Sequence, residues 1–149
     1  MPQGLIDRRA GRREEPVAEY MEDLAAIERR AIRAVVAAEQ RLGRVPQVMA
    51  HHNPGYDIRS AGQGDQIVHI EVKGRAAGHD SFFVTNREIR AGQNADNYRL
   101  ALVEVDQDDP AADRVHYVQD PFTDVRVSAL VNGVQFKWPQ MWSRGTEPC

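Results

Sequence analysis

Residues 53–74 read NPGYDIRSAGQGDQIVHIEVKG. Two short runs flank a glycine-rich centre, and the second alternates cleanly. Val68, Ile70 and Val72 point one way, while His69, Glu71 and Lys73 point the other. The pattern predicts a β-hairpin whose apolar triplet faces a core and whose other face carries Glu71 and Lys73. With the turn centred on Gly64, Asp57 stands opposite Glu71, and such cross-strand pairs hold their β-carbons about 5 Å apart. Two like charges that close repel unless a cation lies between them.

That constellation suits hydrolysis of a phosphodiester. Hard carboxylate oxygens fit Mg²⁺, with Mn²⁺ as the alternative, and such an ion polarises phosphoryl oxygens and acidifies a bound water. Lys73, on the same face, would orient or deprotonate that water, or neutralise charge on the transition state. The chain has 17 arginines and two lysines, Lys73 and Lys137. A lysine at this position points to a need for a compact amine, since arginine cannot act as a base. The competing reading is a solvated polar face without chemistry.

Upstream, Pro16 suits a first helical position, and Tyr20, Leu24, Ile27, Ala31, Val35, Ala38 and Leu42 form a helical stripe that Gly43 and Pro46 close. Glu28 and Glu39 flank the stripe on nearly the same side, so either is placed to reach a site at the core's edge. Residues 1–15, MPQGLIDRRAGRREE, read as a disordered arm or linker, with one domain over 16–149. A strand is expected over Val45–Ala50, ahead of the hairpin. Downstream, a strand at Ser81–Val84 precedes a helix over about 86–94, opened by the capping-box spacing of Thr85 and Glu88. Tyr98–Val105 and Arg114–Val118 follow as strands, and a final pair is expected to flank Asn132-Gly133. The order implies one α/β domain, a mixed sheet flanked by helices.

Composition limits the partners. The 149 residues are 42% hydrophobic, enough for one sizeable core. Net charge is −3, so the field of the whole molecule does not mark a nucleic-acid binder. The charge is uneven, +1 over residues 1–99 and −4 over 100–149, which directs any polyanion to the first two thirds. The one cysteine, Cys149, allows no internal disulfide and no cysteine-based metal cluster. There is no long apolar run and no apolar signal-peptide core, so a soluble cytoplasmic location away from membranes is expected. His51, His52 and His69 lack zinc spacing and read as ordinary histidines. Trp138, Met141 and Trp142 read as a packing patch.

The elements AAEQRLGRVPQ, GYDIRS, HIEVKGRA, VTNREI, NYRLALVEV and HYVQDPF, in this order, resemble the NO VEIN C-terminal domain (domain of unknown function 3883). GYDI followed by EVK also resembles the PD-(D/E)xK nuclease signature, although no proline directly precedes the acid. The resemblance implies a restriction-endonuclease-like fold and a Mg²⁺-dependent DNA nuclease. It also implies work beside a helicase-like ATPase, in the same or a partner chain, in DNA restriction, defence or repair. By that likeness Asp57, Glu71 and Lys73 are catalytic. Asp57, Glu71, Glu39 and the carbonyl of Val72 hold the metal, with Glu39 taken over Glu28. Arg75, Asn86, Arg87 and Arg90 are the expected nucleic-acid contacts, from their places beside Lys73 and at the second helix's start. The alternative is a catalytically inactive nuclease fold kept for DNA binding or protein docking.

Overall fold

In a computed structural model, which describes residues 3–50, 55–76 and 78–149 and side chains from Met21 onward, the chain folds as an α/β domain. It runs α1 (Gln3–Arg41), β1 (Val45–Val48), β2 (Ile58–Ala61), β3 (Ile67–Ala76), β4 (Ser81–Thr85) and α2 (Asn86–Asn94). Then come β5 (Tyr98–Val105), β6 (Arg114–Gln119), β7 (Gly133–Lys137) and α3 (Trp138–Ser143). Five strands form a mixed sheet in the order β1-β2-β3-β5-β6, and β4 with β7 forms a second, two-stranded sheet. Only β3 and β5 are parallel within the larger sheet, and the excursion through β4 and α2 supplies the long crossover that a parallel pair requires.

β2 and β3 pair with Ile58 opposite Ile70 and Ala61 opposite Ile67, the register of a turn at Gly64. Val68, Ile70 and Val72 pack under α1 with Ala31, Val35, Ala101 and Val103. The opposite face is not wet. A second core of Val84, Ile89, Leu100, Leu102, Phe122 and Trp138 covers it, and Glu71 is only 3% exposed. Trp138 and Met141, in α3, are buried there as the packing patch expected.

Helix α1 starts at Gln3, so its backbone runs through the segment read as an arm and does not begin at Pro16. That segment is rich in arginine and glutamate, which have good helix propensity. Ala31, Val35 and Ala38 of the stripe are buried, while Leu24 and Leu42 stay exposed. At its far end Gly43 N–H donates to Gln40 O and Arg44 N–H to Glu39 O, a Schellman turn that folds Arg44 back onto Glu39.

The strand pair expected around Asn132-Gly133 is not a hairpin. β7 pairs with β4 instead, and the Asn132 carbonyl accepts from Asn86 N–H at the start of α2. This contact ties the preceding segment to the helix and leaves it no strand partner. Among the described residues no helix is long and apolar enough to cross a membrane.

Candidate active site

The site forms where β2 ends and β3 continues. Asp57 N–H donates to Ile70 O, so the antiparallel register carries one residue past β2 and sets Asp57 against Glu71. Residues of a strand send both backbone groups to one neighbour, alternately. His69 N–H bonds Asn97 O towards β5, so Ile70 and Val72 face the other edge. Val72 N–H accordingly donates to Asp57 Oδ2 at 2.8 Å, and the Val72 carbonyl leaves β3 on the same edge.

Gly55 explains the two residues before Asp57. It has φ of +89°, and a Cβ there would lie 2.3 Å from Ala91 Cβ, so the turn packs directly on α2. Tyr56 meets His69 edge-on, and His69 Nδ1 is bonded to Asp96 O. Gly74, after Lys73, does the same for α1. A Cβ there would lie 2.8 Å from Ala31 Cβ, and its absence lets the helix close on β3 beside the site.

A fourth charged group joins the three expected ones. Lys73 Nζ lies 3.2 and 3.3 Å from the two oxygens of Glu88 and 3.5 Å from Glu71 Oε1. Glu88 Oε1 also accepts Thr85 N–H at 2.8 Å, so the capping box holds this carboxylate in place. Tyr98 stands behind the cluster with a buried hydroxyl that has no partner among the described residues. Sequence spacing marked Glu88 as a cap and missed its second role, because Lys73 lies across the β4 excursion.

Burial pushes the Glu71 carboxyl well above the carboxylate range, and hydrogen bonding to Glu88 and the charge of Asp57 push it further. The neutral form of Glu71 is therefore favoured more than that of a free glutamate. Burial would raise Glu88 too, but the bond from Glu71, the Lys73 charge and Thr85 N–H outweigh it and hold Glu88 low. Asp57 is raised by burial, against the Val72 N–H bond. For Lys73, burial pulls the amine down, yet Glu71 and Glu88 more than offset this and keep it protonated. Among the described residues no three carboxylate or imidazole groups converge as metal ligands; the Lys73 ammonium lies among the acids.

The other expected residues divide sharply. Glu39 is fully buried away from the cluster, with Arg44 Nε and Nη2 on its two oxygens at 2.7 and 2.9 Å and Tyr117 Oη at 2.8 Å. Burial would raise its pKa, but these partners outweigh it and keep the carboxylate ionised. Glu28 instead lines the cleft of about 730 Å³ that holds Asp57, Glu71, Lys73 and Glu88. Arg75 is held inside the fold, bonded to His79 O and Glu104 and stacked on Trp138 at 4.9 Å. Asn86 Nδ2 is taken by the carbonyls of Ser128 and Val131. Arg87 and Arg90 are exposed and free of ion pairs among the described residues. His51 and His52 lie outside the described residues.

Comparison with known proteins gives one match. The family model for Protein NO VEIN, C-terminal, matches residues 27–118, from the middle of α1 to the end of β6. No curated protein and no solved structure matches the chain.

Proposed function

The chain belongs to the Protein NO VEIN C-terminal family, and we propose that it is a Mg²⁺-dependent DNA nuclease domain of the PD-(D/E)xK kind. The observation that carries this is the Asp57–Glu71 pair, Glu71 buried and Asp57 half-buried, with Lys73 beside it, opening into a cleft. Asp57, Glu71 and the Val72 carbonyl supply the hard oxygen donors that such an ion takes. Glu28 takes the helix position assigned to Glu39, because it faces the cleft while both Glu39 oxygens are engaged elsewhere. When bound, the ion would polarise the phosphoryl oxygen and acidify a water.

The chain's own groups do the rest. Val72 N–H fixes the Asp57 carboxylate. Lys73 is held protonated, so its part is a fixed positive charge on the phosphorane-like transition state, not that of a base in the free protein. Glu88 positions the Lys73 amine. A helicase-like ATPase in the same or a partner chain, and a role in DNA restriction, defence or repair, are what the family resemblance implies.

The test is incubation with single-stranded, duplex and nicked DNA in Mg²⁺ or Mn²⁺, with and without an ATPase partner. Metal-dependent cutting lost in Asp57→Ala supports the reading, and intact DNA in every arm sinks it. The second reading, an inactive module for DNA binding or docking, is favoured by one feature. The Lys73 ammonium sits among the carboxyls, 3.2 Å from Glu88 and 3.5 Å from Glu71, and offsets their charge. It predicts binding that survives Asp57→Ala.

A further inference from the structure

The cleft that opens onto the cluster has a second wall, formed by α1, and that wall carries two arginines beside the single acid Glu28. Arg29 and Arg33 line it, are exposed, and have no ion-pair or hydrogen-bond partner among the described residues. Three arginines of the fold are engaged, Arg30 with Asp113, Arg44 with Glu39 and Arg75 with Glu104, while Arg29 and Arg33 are the free ones that line this cleft. The positions three and four residues either side of Arg29 and Arg33 are alanine, isoleucine, valine or another arginine, so no acid relieves them along the helix. Two like charges at i and i+4 weaken a helix. An anion between them would turn that repulsion into attraction.

The opposite wall explains what the pair is for. A strand of nucleic acid must bring its phosphates up to Asp57 and Glu88 there, past Glu28 on α1 itself, in a molecule of net charge −3, which repels it. One helical turn separates Arg29 from Arg33, about 6 Å along the axis. Leu24 and Val48, both exposed, give the cleft an apolar mouth where bases can pack. We propose that Arg29 and Arg33 form a clamp for the phosphates of a nucleic-acid strand, holding it across the cleft from the acid–lysine cluster. The clamp rests on the nuclease reading for the nature of its ligand, and it binds whether or not the bond is cut.

The experiment is fluorescence anisotropy of the full chain with labelled single-stranded DNA, duplex DNA and single-stranded RNA, in EDTA, over a series of KCl concentrations. Wild type is expected to bind at least one of them. Arg29→Ala/Arg33→Ala should bind more weakly, with the slope of log affinity against log salt shallower by about 1.4 on a single strand or about 1.8 on a duplex. Its thermal melt should be unchanged or raised, since both side chains are exposed and repel. The control is Arg41→Ala, exposed at the C-terminal end of α1 and outside this cleft, which should leave the slope as it is. The clamp is overturned by an unchanged slope in the double variant, by an equal loss in Arg41→Ala, or by no wild-type binding to any of the three. Cleavage in Mg²⁺, with and without an ATPase partner, is scored separately. Clamp-dependent binding without cutting removes the nuclease reading and keeps the clamp; cutting with an unchanged slope does the reverse.

Discussion

Glu71 is the residue on which the chemistry of the cluster turns. Its ordinary pKa is 4.5, and burial with Glu88 and Asp57 nearby holds the folded value well above that. Between the two values the unfolded chain has released the proton and the folded chain keeps it. The folded state then binds more protons, so stability falls as pH rises through this window. Melting temperatures from about pH 5 to about pH 8 should therefore drop in wild type relative to Glu71→Gln. Parallel curves for the two proteins would show that Glu71 is already ionised. A divalent ion must displace the same proton, so stabilisation by Mn²⁺ should grow as pH rises and vanish in Asp57→Asn. An equal shift at both ends of the range would put the ion elsewhere.

At the scale of elements, α2 does two jobs with one residue. Glu88 closes the capping box on Thr85 and holds Lys73. Glutamine also serves in a capping box, so Glu88→Gln should melt close to wild type while lowering the turnover of the proposed nuclease. Thr85→Ala, in contrast, should cost about 1 kcal/mol through loss of the cap. Equal melts for these two variants would show that the box contributes nothing. The turn into β2 depends on contact with α2: Gly55→Ala forces a Cβ to within 2.3 Å of Ala91 Cβ at a positive φ. The expected cost is about 1–3 kcal/mol, read from urea unfolding. Much of this was legible from spacing. The hairpin register, the helix over 86–94 and its cap follow from alternation and from Thr85-x-x-Glu88, which are local signals. The pairing of β7 with β4 was not, because no short-range pattern says which strand an isolated run will meet.

Across the whole molecule, the buried Glu39–Arg44–Tyr117 cluster ties the end of α1 to β6, and Arg44 reaches on to the carbonyl of Cys149. Removing Arg44 leaves a fully buried carboxylate without its cation, so Arg44→Ala should destabilise by about 3–5 kcal/mol. Glu39→Gln should lower the melt while leaving any metal-induced shift intact, which separates this cluster from the Asp57 site; loss of the shift would return Glu39 to the metal centre. Helical spacing placed Glu28 and Glu39 on one side of α1 and could not choose between them. The difference lies in what each meets across the fold, Tyr117 and Arg44 for one and the open cleft for the other. Arg75 shows the same limit: it follows Lys73 in sequence but is enclosed by Glu104 and Trp138 from distant strands and helices. By itself the sequence determined the hairpin, its register, the cap of α2 and the closeness of Asp57, Glu71 and Lys73, because periodicity and turn chemistry act over a few residues. Only the tertiary structure brought Glu88 into the cluster, took Glu39 out and covered the second face of β3. Those outcomes depend on how the β4–α2 crossover and α1 pack on the sheet, and contacts between residues far apart in sequence carry no local signature.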